Sequence, residues 1–259
     1  MIPLRDDVPS RSLPIVNYAL LGLNVAVFAY ELTLGRDLAS LFQRAAVIPS
    51  LYSGATGHAG GWTILAHTAH PELAARIVAS MFLHGGFLHI IGNMLYLWIF
   101  GDNVEDRMGH GRYLVFYLVC GWVAAFAHIW SQAGSRVPSV GASGAIGGVL
   151  GAYMVLYPRA RVVTLLPLGL FTQIVRVPAL LLLAFWFLQQ FLAGTLTLSA
   201  RSAETGGVAW WAHIGGFAAG VALVAVFQRP RRRPRSRDAW WSDRRSPRAK
   251  TRRRAASRA

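Results

Sequence analysis

Four side chains that can move protons or donate hydrogen bonds stand inside otherwise apolar runs: His89, Asn93, Ser143 and His213. A serine hydroxyl becomes a competent nucleophile when a neutral imidazole takes its proton, and imidazole serves that purpose near pH 7. An amide or a second imidazole nearby can donate to the oxyanion such an attack creates, each donor being worth about 10²–10³ in rate. His89 and Asn93 lie at i and i+4, on one face of a helix. Each also has a plainer reading: Ser143 as a helix cap, His213 as a packing hydrogen-bonder, and His89 with Asn93 as structural glue.

The composition says what must hold these groups. Residues AVILMFWYC make up 54% of the 259, there are 26 glycines, and charged residues are 14%, against about 25% in ordinary soluble domains. A soluble globule is excluded. The net charge of +15 suggests a nucleic-acid binder, yet residues 228–259 hold 14 basic and 2 acidic side chains, which leaves +3 for residues 1–227. Six apolar stretches follow one another at 13–32, 79–100, 114–130, 143–157, 177–196 and 207–227. A membrane span needs about 20 helical residues, so four qualify, 114–130 is marginal and 143–157 is short, at about 22 Å against about 30 Å of hydrocarbon. A short helix can begin below the surface only where the preceding loop is shielded or lines a wet cavity. The segment 162–175, with Pro167 and Gly169, reads as an interfacial or re-entrant loop. The expected fold is an all-α polytopic membrane protein, a six-helix bundle with a short central fourth helix, over residues 13–227. Residues 1–12 form a cytoplasmic segment before it and 228–259 a basic tail after it.

The first stretch lacks a cleavage pattern and stays as a span. Arg5, Arg11, Arg107, Arg112, Arg159, Arg161 and Arg176 fall on the side of the tail, so by the positive-inside rule both termini are cytoplasmic. With no organellar targeting segment ahead of the first span, a bacterial plasma membrane is the plainest location. Segment 33–78 reads as a partly helical cap at the outer interface. His213, six residues into its span, is about 9 Å deep, and Ser143, on a helix short by about 8 Å, reaches a similar depth. His89 and Asn93 begin about 10 Å down, so all four can meet in one pocket open to the outside. Small residues recur every four positions beside them, at Ser143, Gly147 and Gly151 and at Ala212, Gly216 and Gly220, which lets two membrane helices touch backbone to backbone. No internal repeat is visible and no intramembrane carboxylate is evident, which disfavours a transporter or channel.

Together the segments His84-Gly85-Gly86-Phe87-Leu88-His89-Ile90-Ile91-Gly92-Asn93, Gly101-Asp102-Asn103-Val104-Glu105-Asp106-Arg107, Gly141-Ala142-Ser143-Gly144 and Ala212-His213-Ile214-Gly215-Gly216 resemble the rhomboid intramembrane serine proteases. The resemblance covers about residues 79–227. It implies Ser143 as nucleophile, His213 as general base, and His89 with Asn93 on the oxyanion side, with Gly141, Gly144, Gly147 and Gly216 packing near the site. The Trp-Arg pair that some members carry in the outer loop is absent, which puts that loop's anchoring in question. The implied activity is endopeptidase cleavage of transmembrane segments of membrane-protein substrates. The alternative is a silent relative that binds membrane helices, although such a protein normally lacks the Ser or the His. The fifth span, with Phe185, Trp186, Phe187 and Phe191 and no small-residue face, is expected to pack loosely as a lateral gate.

No carboxylate occurs in the sixth span, so a dyad is expected, with Tyr153 as a candidate support for the His213 ring. His58, His67, His70, His84, His110 and His128 read as loop or interface residues. Without Cys or carboxylate at ligand spacing there is no metal, and no cofactor is called for. Cys120 reads as a small buried hydrophobe. Gly101 to Arg107 reads as a cytoplasmic turn whose acids and Arg pair or cap locally. The tail, with Trp240 and Trp241, is expected to be disordered and to contact anionic lipid head groups. Acting only as a topology determinant, or meeting a nucleic-acid or protein partner, are its alternatives, and no nucleic acid is expected to bind.

Overall fold

The structure is a computed structural model that describes residues 1–53, 60–168, 171–199 and 209–229; most of the basic tail lies outside these. Strand β1 (Ile2–Asp6) leads into helix α1 (Ile15–Thr33). A single turn at Gly35–Asp37 then opens a run of short helices, α2 (Leu38–Ala45), α3 (Ser50–Ser53), α4 (Gly61–Thr68) and α5 (Pro71–Ser80). Long helices α6 (Phe87–Met108) and α7 (His110–Ser131) precede the 14-residue α8 (Ser143–Leu156). After the strands β2 (Arg161–Leu168) and β3 (Phe171–Pro178) come α9 (Ala179–Ser199) and α10 (Trp210–Phe227). Among the described residues four helices, α1, α7, α9 and α10, are long and apolar enough to cross a membrane.

The protein is mostly helical rather than all-α. The segment expected to be a re-entrant loop is a hairpin, β2 against β3, with β1 added antiparallel on the far side of β2. The cause is legible in hindsight: Val162, Val163 and Thr164 face Val177, Arg176 and Val175 in register, and β-branched runs favour the pleat. The sheet ties the N-terminal strand to the connection after α8, so both sit at one end of the molecule. At that end Asp6 accepts hydrogen bonds from the Tyr153 hydroxyl and from Asn103 Nδ2. Burial pushes the Asp6 carboxyl above the usual range, against the effect of the Tyr153 bond.

A second expectation is also corrected. Gly101 to Arg107 is not a turn; it forms the last turns of α6. Glu105 is fully buried and accepts the N–H groups of Val16 (3.0 Å) and Asn17 (2.7 Å), the opening residues of α1. Helix α1 has Pro14 at its cap position and no side-chain cap of its own. Its exposed donors and positive dipole end are therefore met by a carboxylate from another helix, a long-range cap rather than a local one. The buried face of α1 carries Asn17, Asn24 and Glu31, seven residues apart. Asn17 accepts from the Tyr113 hydroxyl and donates to the Leu97 carbonyl. Buried carboxylates thus do occur in this bundle, at Glu31 and Glu105.

The centre is α8, whose residues from Gly144 to Tyr153 are all buried. It packs on α10 through glycine. A Cβ added at Gly216 would stand 1.9 Å from the Gly144 carbonyl oxygen, and one added at Gly220 would stand 2.0 Å from that of Gly148. Cys120 of α7 is buried and borders Gly148. In an apolar solvent no hydrophobic force drives helices together, so van der Waals contact at this closeness supplies the association.

Two outcomes follow for stability. Gly220→Ala, well below Ser143, should lower unfolding free energy in detergent by about 1–3 kcal/mol or more, because backbone must move to admit the methyl group. Glu105→Ala should cost about 1.5–3 kcal/mol for the lost charge-assisted bonds, with Glu105→Gln recovering part of it. Denaturant titration followed by tryptophan fluorescence reads both.

Candidate active site

Ser143 is the first residue of α8, and the loop that delivers it bends at Gly141, whose φ of 130° is a conformation L side chains rarely adopt. The Gly141 N–H is fixed by the Ser80 carbonyl at 2.8 Å. A Cβ at this position would lie 2.6 Å from His89 Nε2 and 3.6 Å from Ser143 Oγ, so glycine leaves open the hollow that these two atoms share. As the opening residue of a helix, Ser143 brings N–H groups without intrahelical acceptors to the same place. Beside it lies a small cavity of about 40 Å³ lined by Met81, His128, Gly141, Ala145 and Ala209 among others.

The loop before Ser143 is anchored without a Trp-Arg pair. Val47, after α2, forms a two-way backbone bridge with Ser139, the Ser50 N–H donates to the Ser135 carbonyl at 2.9 Å, and the Ser53 hydroxyl donates to Ala133. The cap is itself tied, by the Tyr52 hydroxyl to Leu73 and by Arg76 to the Gln43 carbonyl. Burial pushes the Tyr52 phenol up to about 12. The described parts of segment 33–78 are therefore partly helical, and they also hold the loop.

His213 lies three residues into α10 rather than six, because the helix begins at Trp210. Its ring is buried, with Nε2 2.8 Å from Ser143 Oγ. The other nitrogen, Nδ1, is 2.7 Å from Gln190 Oε1 on α9. An amide oxygen only accepts, so Nδ1 carries the proton and Nε2 presents a lone pair to the serine hydroxyl. The Trp186 ring lies 5.8 Å from the imidazole at a 31° tilt, and Trp210 meets it edge-on. Tyr153 does not support the ring: it packs on Phe100 and Tyr157 and binds Asp6 at the far end of α8. Ten residues place it nearly three turns away, too far to reach the histidine.

His89 is half-buried and borders the hollow through Nε2, while its Nδ1 accepts the Gly85 N–H at 3.4 Å. That leaves the proton on Nε2, at the hollow beside Gly141. Asn93, one turn further along α6, is buried and its amide nitrogen donates to His84 Nε2 at 2.9 Å. His84 lies in the loop between α5 and α6, as expected, but it is buried, its own N–H is held by Glu31 at 3.0 Å, and its Nδ1 donates to the Phe82 carbonyl. The network therefore runs from α1 to α6, and its sequence signals were the heptad ending at Glu31 and the short spacing from His84 to His89. Ser143 and His213 touch directly, His89 adjoins them, and Asn93 is reached through its neighbours.

The other histidines divide. His128 lines the small cavity, His67 binds the Tyr52 carbonyl, His110 pairs with Glu105, His70 precedes α5, and His58 lies outside the described residues. Among the described residues no three His, Cys, Asp or Glu side chains converge as metal ligands would. Of the aromatics on α9, Phe185 and Phe191 are exposed, while Trp186 and Phe187 pack on Phe217 of α10.

Comparison with known proteins agrees on one family. The chain is 30% identical over 149 residues to Rhomboid protein 1, mitochondrial, of Saccharomyces cerevisiae, covering 56% of this chain and 37% of that one. It is 36% identical over 148 residues to the rhomboid protease GluP of Bacillus subtilis, covering 57% and 26%. To the presenilin-associated rhomboid-like protein A, mitochondrial, of Danio rerio it is 34% identical over 106 residues, covering 39% and 28%. The chain thus spans between about a quarter and two fifths of the length of these curated relatives. The family model described as Rhomboid domain matches residues 71–230, a stretch that holds both the Ser143 turn and His213, and the chain belongs to that family.

Proposed function

We propose that the protein is an intramembrane serine endopeptidase that cleaves transmembrane segments of membrane proteins. The observation that carries this is the 2.8 Å contact from Ser143 Oγ to His213 Nε2, with the proton of the imidazole held on the opposite nitrogen. In this reading Nε2 takes the hydroxyl proton as Oγ bonds to the scissile carbonyl carbon. The carbonyl oxygen becomes an oxyanion that the first N–H groups of α8 and His89 Nε2–H stabilise, with Asn93 adding an amide donor from the adjacent turn. His213 then gives its proton to the leaving nitrogen, the C–N bond breaks, and an acyl-serine remains. Water enters from the outer side, is deprotonated by Nε2 and releases the acid, restoring Ser143. The silent, helix-binding alternative has no observation in its favour.

The membrane frame is part of the same proposal. The six helices α1, α6, α7, α8, α9 and α10 cross or enter the bilayer as one bundle with α8 at its centre. The arginine-rich end that gathers β1, the hairpin and the end of α10 faces the cytoplasm. The relatives are named from a bacterium and from mitochondria, so membrane residence is common ground and the bacterial plasma membrane belongs to the proposal. The basic tail contacts anionic lipid there. Substrate comes laterally past α9, whose outward aromatics meet lipid.

Two experiments test the reading. In proteoliposomes with a single-span test substrate, Ser143→Ala and His213→Ala should each lower cleavage by at least about 10⁴-fold, since serine and base act as a unit; cleavage equal to wild type would remove the assignment. The cavity beside Ser143, at about 40 Å³, has room for a few waters or a small side chain and none for an aromatic ring. Substrates with Ala, Gly or Ser before the scissile bond should therefore be cut, and replacing that residue by Phe should abolish cleavage at that bond; gel mobility and mass spectrometry of the fragments distinguish the cases.

A further inference from the structure

We infer that Gln190 is a third member of the site, a positioning residue whose amide oxygen holds His213 in the tautomer that can accept the serine proton. The inference rests on the reading of Ser143 and His213 as nucleophile and base. No motif marks Gln190: it lies on α9, 23 residues before the histidine, beside the exposed Gln189 in a helix whose first half is otherwise Leu, Ala, Phe and Trp. Its side chain is nonetheless buried, against the outward lean of its neighbours Leu188 and Phe191. A buried amide in an apolar helix costs free energy unless its hydrogen bonds are made, and this one is spent on Nδ1 of His213 at 2.7 Å.

The chemistry is specific about which atom must face the ring. Neutral imidazole carries one proton, on either nitrogen. If it sat on Nε2, the serine would meet a donor where it needs an acceptor, and no base would exist. An oxygen at Nδ1 removes that state, and it stabilises the imidazolium formed when Nε2 takes the serine proton. A neutral amide does this in other hydrolases, where an asparagine stands behind a cysteine-histidine pair. Here the acceptor comes from a different helix than either partner. Leu183, which is buried, and Trp186 lie on the same side of α9 as Gln190, and Trp186 lies along the imidazole face. Among the described residues the titratable groups that act on the His213 ring are His89 of α6 and His128 of α7, and the atom that meets Nδ1 is the Gln190 amide oxygen.

The test uses the full chain in proteoliposomes, with wild type, Ser143→Ala, Gln190→Leu and Gln190→Glu, each checked for thermal stability. Gln190→Leu should lower kcat about 10–100-fold with KM changed less than about threefold, because orientation of the base is lost while substrate contacts remain. Gln190→Glu keeps the acceptor and adds charge, so it should retain most of kcat and move the acid limb of the kcat/KM profile to higher pH. A merely structural glutamine would lower stability and leave that limb where it is. Wild-type rate in a folded Gln190→Leu, or an unmoved acid limb in Gln190→Glu, overturns the inference; if the leucine variant does not fold, the glutamate profile decides. Where wild type cleaves and Ser143→Ala does not, such a result removes Gln190 alone. If wild type cleaves no better than Ser143→Ala, the proteolytic reading itself fails and the inference goes with it.

Discussion

The backbone contact between α8 and α10 is the constraint on which the rest depends. Ser143 and His213 each occupy the first turn of a helix, and their separation is fixed by how closely the two axes run. Gly216 and Gly220 bring α10 so near α8 that even a methyl group would overlap a carbonyl oxygen. The contact is set by hard atomic surfaces rather than by flexible side chains, so it leaves little play. A displacement of about 1 Å at a reacting pair can cost about 10²-fold in rate, and any residue larger than glycine at these positions imposes a shift of that order.

Around this contact the polar groups form chains that cross between helices. Glu105 serves α1 from α6, Asn17 joins α1 to α6 and α7, and Glu31 reaches the backbone of His84, which in turn takes the amide of Asn93. An unpaired polar group in an apolar surround costs about 1–3 kcal/mol on mutational scales. Each link therefore fixes the rotation and height of a helix as well as joining it to the next. Helix α6 is held this way at both ends, by Glu105 near its C-terminus and by the His84–Asn93 pair near its start, and that is what keeps His89 facing the Gly141 bend.

Much of this is legible in the sequence alone. Apolar run lengths gave the helices, and the four-residue spacing of small residues gave the α8–α10 contact. Ser143 and His213 stood out because hydrogen-bonding groups are conspicuous among Leu, Val and Phe. What escaped is instructive. The hairpin hid because an apolar stretch of 14 residues has no period long enough to separate strand from loop. Glu105 reads as part of a locally paired turn because charged residues near the end of a span mark its boundary, and its actual partner, the start of α1, lies 88 residues away. The α1 stripe could have been seen, since residues 17, 24 and 31 share a helical face. Proximity along α8 suggests Tyr153 for the His213 ring, but that ring is met from a neighbouring helix and Tyr153 binds Asp6 instead.

That the histidine is held by an amide, with no carboxylate in the role, follows from where α9 lies. A buried charge at mid-helix costs about 2–3 kcal/mol even on lenient insertion scales. An exposed apolar helix such as α9, with Leu181, Leu188, Leu192 and Leu196 facing outward, offers few donors to repay that cost. An amide oxygen supplies the same lone-pair direction without a charge. It gives less stabilisation to the imidazolium, yet it leaves the helix able to insert and keeps the ring in one tautomer. In an aqueous protein the balance favours a carboxylate; in hydrocarbon it moves toward glutamine, and the arrangement around His213 has the form that this solvent selects.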